Sequence, residues 1–217
     1  MQPSKNYSAV AEMRFGGVVL CGGESRRMGR PKALLPFGDE TMLQRVVRLL
    51  SEVVGPLVAV AAADQVLPQL PETVRIVRDE QPALGPLEGL RVGLSALAGE
   101  VDAAYATSCD VPLLAPELVR RMLRELGANH IAVPVEGEFH HPLAAVYRPQ
   151  VVDAIERLLA AGRRRPVDLY AEVPTARVAV ASLREVDPPL HTLRNLNRPE
   201  DYLEALRIAG LPTPSRW

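Results

Sequence analysis

Apolar positions along this chain follow two different periods. Residues 15–21 (FGGVVLC) form a compact apolar run that stops at glycines, the pattern of a buried strand, and residues 57–62 and 74–77 read the same way. Between the first two runs, residues 41–53 place Met42, Val46, Leu49, Leu50 and Val53 on one helical face, with Asp39 upstream as the start signal. Helical patterns recur at 87–98, 116–126, 150–160 and 199–208. The helix at 116–126 opens on Pro116 and stops before Gly127, the usual asymmetry of helix ends. Further strands are expected at 103–107, 131–135, 143–147 and 178–181. Such alternation predicts an α/β fold with a parallel, doubly wound sheet and helices on both faces. Ligands of such sheets sit beyond the carboxyl ends of the strands, where the strand order switches. Residues 1–13 show no period and read as a loose lead-in, and no linker interrupts 14–217, which is expected to be one domain.

Composition narrows the class. With 217 residues, 47% of them hydrophobic and 24% charged, the chain can bury a sizeable core without disulfides or a structural metal. It carries 25 basic and 26 acidic residues, a balance that argues against a non-specific nucleic-acid binder. The longest apolar run, residues 53–63, contains a Gly-Pro pair and is too short for a membrane-spanning helix of ~20 residues. No apolar segment follows the N-terminal charges as in a secretory signal, and the two cysteines, Cys21 and Cys109, form no pairing framework. A reduced, cytoplasmic setting is expected, with no membrane partner.

The unusual residues cluster at the expected strand ends. Residues 20–35 (LCGGESRRMGRPKALL) follow a strand and precede a helix. Gly22 and Gly23 let the backbone turn and bring N–H groups close to a ligand, and such groups form an anion-binding concavity. Ser25, Arg26, Arg27 and Lys32 add donors and positive charge, a combination suited to a polyphosphate. The segment is neither G-x-G-x-x-G nor a P-loop, since Lys32 is followed by Ala33.

In residues 106–114 (ATSCDVPLL), Asp110 lies just past a strand and too early to cap the next helix. Its carboxylate suits Mg²⁺, which binds few protein oxygens and takes substrate phosphates as further ligands. Asp79, in RDEQPALGPLEG, also ends a strand, and either binds a nucleotide, assists the metal or is a plain loop acid. Asn195 and Asn197 in LRNLNRPEDY point the same way if that segment is extended. Their amides could read a polar heterocycle, bind phosphate or satisfy a loop backbone. His140 and His141 are adjacent, which does not direct both to one metal, and His130 and His191 are isolated, so zinc is not expected. The thiols read as buried structural groups, and Arg163–Arg165 as a solvated turn or a modest site for a second anionic substrate.

The run LCGGESRRMGRPKALLPFGDETML, followed in order by RDEQPALGPLEGL, TSCDVPLL, HHPLAAVYRP and RNLNRPEDY, resembles the MobA-like nucleotidyltransferases over nearly the whole chain. NLNRPEDY narrows the resemblance towards their molybdenum cofactor branch. The resemblance implies a Rossmann-like nucleotidyltransferase fold and Mg²⁺-dependent transfer of GMP from GTP to molybdenum-loaded molybdopterin. It also implies transient contact with molybdoenzymes or their chaperones. By motif position, Leu20, Cys21 and Gly22 would contact the nucleotide through their backbone, with Gly23 beside them. Lys32 would bind its phosphates, Asp79 the nucleotide, and Asp110 both nucleotide and metal, while Asn195 and Asn197 would lie on the pterin side.

The residue chemistry agrees with such a transfer. A phosphomonoester nucleophile, with its second pKa near ~6, needs no strong general base, but it does need cations to relieve repulsion between polyanions. Arg26, Arg27, Lys32 and a metal at Asp110 are suitable parts. One segment departs from the family: this chain reads VAVAAADQ where its guanylyltransferases tend to place an asparagine near the base. Cytidylyl transfer to the same pterin and nucleotidyl transfer to a sugar or polyol phosphate are therefore alternatives. A non-catalytic nucleotide carrier is a further one, opposed by the presence of both Lys32 and Asp110.

Overall fold

The computed structural model describes residues 13–22, 28–79, 81 and 84–214. Apart from Met13, the expected lead-in at 1–13 lies outside them. Strand β1 (Phe15–Leu20) is followed by a short hairpin, β2 (Pro36–Phe37) and β3 (Glu40–Thr41), and then helix α1 (Met42–Ser51). There follow β4 (Leu57–Ala62), β5 (Val74–Asp79), α2 (Pro86–Leu97), β6 (Ala103–Ser108) and α3 (Pro116–Glu125). The second half holds β7 (Ile131–Glu136), β8 (Phe139–His140), β9 (Ala145–Tyr147), α4 (Val152–Ala160), α5 (Pro166–Leu169), β10 (Thr175–Ala179), α6 (Val180–Leu183) and α7 (Pro199–Ile208).

The main sheet runs β10-β7-β9-β6-β1-β4-β5, with β8 paired to β7. Pairs β1–β4, β1–β6, β4–β5 and β7–β10 are parallel, whereas β9 is antiparallel to both its neighbours. Alternate strand residues serve opposite faces. Val19, Ala59, Ala61 and Tyr105 pack against Leu43, Val46 and Leu50 of α1 and Leu118 and Met122 of α3. Val18, Val58, Val60 and Ala104 face the other way, towards Leu87, Leu90 and Leu94 of α2 and Ile155 and Leu158 of α4. The expected helices on both faces are present. A smaller cluster joins the β2–β3 hairpin, through Phe37, to Tyr202 and Leu206 of α7.

This strand order places a switch point at the centre. The chain moves from β1 outward to β4 and β5 and then returns to the other side of β1 as β6, so the carboxyl ends of β1 and β6 diverge beside a crevice.

Close approach of α2 to the sheet depends on small residues. A methyl group on Gly93 would stand 2.4 Å from Val18 Cγ1 and 3.1 Å from Val60 Cγ2, both on strands that cannot retreat. Gly93→Ala is expected to cost about 1–3 kcal/mol through overpacking, despite the better helix propensity of alanine, and to lower the urea midpoint measurably.

Three elements differ from the sequence pattern. Helix α1 is capped by Thr41 and not by Asp39: Thr41 Oγ1 accepts from Gln44 N at 3.3 Å, and Gln44 Oε1 accepts from Thr41 N at 2.8 Å, a reciprocal capping box. Asp39 instead follows Gly38, whose φ of 73° makes the β2–β3 turn. The strand expected at 143–147 shortens to β9 because Pro142–Ala144 form a 3-10 turn that brings the chain back antiparallel. The strand expected at 178–181 is β10, displaced towards the N-terminus, and Val180 already begins α6. Valine and alanine fit either state, and in this stretch the tertiary contacts decide. Among the described residues no helix is long and apolar enough to cross a membrane.

Candidate active site

Beyond β1 and β6 the backbone ladder continues for one residue. Cys109 N donates to Leu20 O at 3.0 Å, and Cys21 N donates to Val60 O at 2.7 Å. The chain then turns away at Gly22 and Asp110, opening a pocket of about 190 Å³ whose lining includes Leu20, Gly22, Ala62, Asp79, Asp110 and Asn195. Leu20, Gly22, Asp79, Asp110 and Asn195, expected from the sequence to be site residues, therefore share one cavity. Cys21 lies just behind it, with its side chain in the core and its amide committed to Val60. Gly23 and Arg26 lie outside the described residues.

Asp110 organises the pocket floor. It is 8% exposed, and its Oδ2 accepts from Lys32 Nζ at 2.8 Å. Its Oδ1 accepts from Ser108 Oγ at 2.5 Å and from Asn195 Nδ2 at 3.1 Å. Lys32 Nζ also donates to Asn197 Oδ1 at 2.9 Å. The partners arrive from far apart in the chain: Lys32 from a 3-10 turn at Lys32–Leu34, and the asparagines from the strap before α7. That strap is held by Leu196 N donating to Asp110 O at 2.9 Å, while Asp201 accepts from the backbone N–H groups of Asn197 and Arg198. Both asparagines do face the same centre, and both bond the Lys32–Asp110 pair.

The donor set here consists of hard oxygens: the Asp110 carboxylate, the Ser108 hydroxyl and two amides. No group of three or more histidine, cysteine, aspartate or glutamate side chains is gathered for a metal among the described residues. The Asp110 carboxylate beside hydroxyl and amide oxygens, with Asp79 across the same pocket, fits Mg²⁺, which keeps waters and phosphate oxygens as its remaining ligands, and does not fit a zinc cage.

Asp79 closes the far side of the pocket. It is 7% exposed and accepts from Gln81 N at 2.8 Å. Burial pushes its carboxyl above the usual range and nearby Glu88 adds to this, while the Gln81 N–H and Arg91 oppose the rise. Glu88 itself is held by Arg91 in a two-pronged pair at 2.7 and 2.8 Å.

Two residues of the site lacked a sequence signal. Ser108 sits inside the ATSCDVPLL run yet was not distinguishable from a strand-end serine. Gln65, in the departing VAVAAADQ segment, donates through Nε2 to Cys21 O at 2.8 Å and accepts at Oε1 from Ala62 N at 3.2 Å. It ties the end of β4 to the start of the glycine loop. The wall beside it is Val60, Ala61 and Ala62, which carries no polar side chain.

A second cleft of about 410 Å³ adjoins the first, and Leu143 and Asn195 line both. His140, in β8, and His141, which follows it, both line this cleft. His140 stacks on Tyr170 at 5.1 Å and His141 meets Phe139 edge-on at 4.8 Å, so the two rings have different neighbours. The thiols are structural: Cys109 donates its S–H towards Cys21, and this bond, together with burial, raises the Cys109 thiol well above its ordinary range. Arg163 is engaged with Asp168 and Glu172 at 3.3 and 3.0 Å on the surface.

The sequence pattern of the MobA-like NTP transferase domain matches residues 17–186, a span that includes Lys32, Asp79 and Asp110. The chain belongs to the MobA-like NTP transferase family. A Mycobacterium tuberculosis H37Rv protein named "probable molybdenum cofactor guanylyltransferase" is 39% identical over 175 residues, covering 78% of this chain and 86% of that protein. The fold matches the crystal structure of molybdopterin-guanine dinucleotide biosynthesis protein A from Archaeoglobus fulgidus, with TM-score 0.73, 21% identity, and 91% and 99% of the two chains covered. It also matches Rv0371C of M. tuberculosis H37Rv, solved in complex with manganese, with TM-score 0.54, 21% identity, and 77% and 89% covered. The mostly parallel sheet is thus the nucleotidyltransferase fold of this family, and the protein is a nucleotidyltransferase.

Proposed function

We propose that this protein transfers the guanylyl group of GTP to the terminal phosphate of molybdenum-loaded molybdopterin, giving the guanine dinucleotide form of the cofactor and pyrophosphate. The observation that carries the reading is the meeting of two cavities at one charged centre. The pocket bounded by Gly22, Asp79 and Asp110 and the cleft bounded by His141 and Asn197 adjoin at Leu143 and Asn195, and Asn195 bonds Asp110 while Asn197 bonds Lys32. A nucleotide and an acceptor could each occupy one cavity with their phosphates side by side. The names of the curated relatives supply the substrates in this reading.

In that arrangement Gly22 and the glycine loop cradle the triphosphate, with Leu20 and Cys21 setting the loop's position. Asp79 receives donors from the nucleoside. Lys32 moves its ammonium from Asp110 to the phosphates and offsets the charge that develops on them. Asp110, its carboxylate oriented by Ser108 and Asn195, is the residue that would hold Mg²⁺, which would supply positive charge against the phosphates and the leaving pyrophosphate. An acceptor phosphate oxygen bonds to the α-phosphorus as the α–β anhydride bond breaks, and pyrophosphate leaves with the electron pair. The nucleophile is already deprotonated at neutral pH, so the reaction needs no histidine–acid pair at the centre, and none stands there among the described residues. Asn197 holds Lys32 on the acceptor side. Arg26 adds a further cation to the phosphates in this reading. The setting is cytoplasmic, with handover to molybdoenzymes or their chaperones.

One observation favours a second reading. The apolar wall of Val60, Ala61 and Ala62 offers the base no side-chain hydrogen bond, so cytidylyl transfer to the same acceptor is the competing activity. Pyrophosphate release with Mg²⁺ and molybdenum-loaded molybdopterin, comparing GTP with CTP, separates them. Strong preference for GTP is expected. Preference for CTP would transfer the protein to the cytidylyl reaction, and nucleotide binding without release would make it a carrier.

A further inference from the structure

The acceptor cleft has a wall that the reaction described above does not use. Besides Asn195 and Asn197, its lining among the described residues consists of Phe139, both neighbouring histidines, Pro142, Leu143, Ala144, Thr192 and Leu193, with no lysine, arginine, aspartate or glutamate among them. Such a surface is unsuited to phosphate and suited to the uncharged, flat part of an acceptor whose phosphate lies at the Lys32–Asp110 end. Phe139 is 64% exposed, although nothing in the core requires an aromatic side chain at that hairpin position. By strand alternation it shares a face with His141, and the two rings stand 4.8 Å apart at 82°. The His141 Nε2 atom is buried and has no hydrogen-bond partner among the described residues. A buried ring nitrogen left unpaired is the exception in folded proteins and calls for an explanation. Burial also lowers the imidazole's pKa below its usual range, with Glu136 opposing and His140 adding to the drop, so the ring is neutral and can either donate or accept.

The wall is braced from behind. Tyr147 OH donates to Pro142 O at 2.9 Å and lies 3.3 Å from Tyr170 OH. His140 stacks on Tyr170 and donates from Nδ1 to Glu138 O at 3.1 Å, while His141 N donates to Pro134 O at 3.0 Å. The side facing the cleft is therefore held in place by residues that do not line it.

We propose that Phe139 and His141 form the specificity wall for the acceptor's heterocycle: Phe139 stacks on a flat bicyclic ring of pterin type, and His141 turns its Nε2, covered in the unliganded cleft, to a polar atom on that ring's edge. This rests on the acceptor being a pterin phosphomonoester. The test titrates the full chain with a fluorescent 6-alkyl pterin bearing a terminal phosphomonoester, and measures GTP affinity separately by calorimetry. Phe139→Ala is expected to weaken pterin binding about tenfold and to diminish the quenching that stacking causes, with GTP affinity unchanged. Phe139→Trp should retain both. His141→Gln, which keeps a hydrogen-bonding group, should bind better than His141→Leu. If the parent binds and guanylylates the pterin but Phe139→Ala and His141→Leu do so equally well, the wall is overturned and the transfer reading stands. If the parent binds the pterin, the variants weaken it and no transfer from GTP or CTP occurs, the wall stands and the transfer reading falls. A parent that does not bind the pterin overturns both.

Discussion

Lys32→Met is expected to reduce turnover by roughly 10²–10³-fold while leaving the fold intact, the loss typical of removing one preorganised charge donor from a developing oxyanion. Its ammonium sits 2.8 Å from Asp110 and 2.9 Å from Asn197, and its side chain is only 16% exposed, so water replaces it poorly. Asp110 would keep its bonds from Ser108 and Asn195, so the buried carboxylate is not left bare. The stability cost should therefore be about 1.5–3 kcal/mol, the worth of one charged hydrogen bond, against a total of about 5–15. Pyrophosphate release and a urea midpoint, measured on the same preparation, separate the two effects. Turnover within threefold of the parent would remove Lys32 from the phosphate role. Lys32→Arg should recover only part of the rate, because a planar guanidinium does not reproduce a compact ammonium between two oxygens.

Asp110→Asn is the second large effect. The amide nearly matches the carboxylate in shape and can still accept from Lys32 or Ser108, so the strap pinned by Leu196 N to Asp110 O at 2.9 Å should persist. What disappears is the negative charge that draws a divalent cation into the recess. Turnover at a fixed, moderate Mg²⁺ concentration should fall by at least ~10²-fold, and raising Mg²⁺ should restore only part of it. An unchanged Mg²⁺ dependence with near-parental turnover would exclude the metal role. The two substitutions touch one bonded pair, so the double variant should be far less impaired than the product of the single losses. Multiplicative losses would mean that the two residues act separately.

Gly22 and Lys32 stood out in the sequence because they break the local pattern. A buried apolar run ending in Gly22, with Lys32 ten residues on, has few structural reasons to exist. Asp110 was legible for a similar reason, standing past a strand and too early for a cap. Ser108 and Gln65 were not. A serine at a strand end and a glutamine in a loop are ordinary there, and their roles exist only once Asp110 and the Cys21 carbonyl have been brought within hydrogen-bond reach. His140 and His141 show the limit from the other side. Adjacency in sequence gave no reason to expect a shared metal, and it did not tell which neighbours each ring would meet, Tyr170 for His140 and Phe139 for His141.

By itself the sequence determined the layers of this protein, since the periods of two and 3.6 residues are local consequences of backbone geometry and name which face of each element must be buried. It also determined the chemistry available at each strand end, because residue identity sets charge and donors. Only the tertiary structure decided the reversal of β9, the placement of β6 on the other side of β1, and the meeting of Lys32, Asp110, Asn195 and Asn197. Those depend on pairings between segments up to 165 residues apart. Their stability comes from packing both faces of one sheet at once, a condition that no window of local sequence contains.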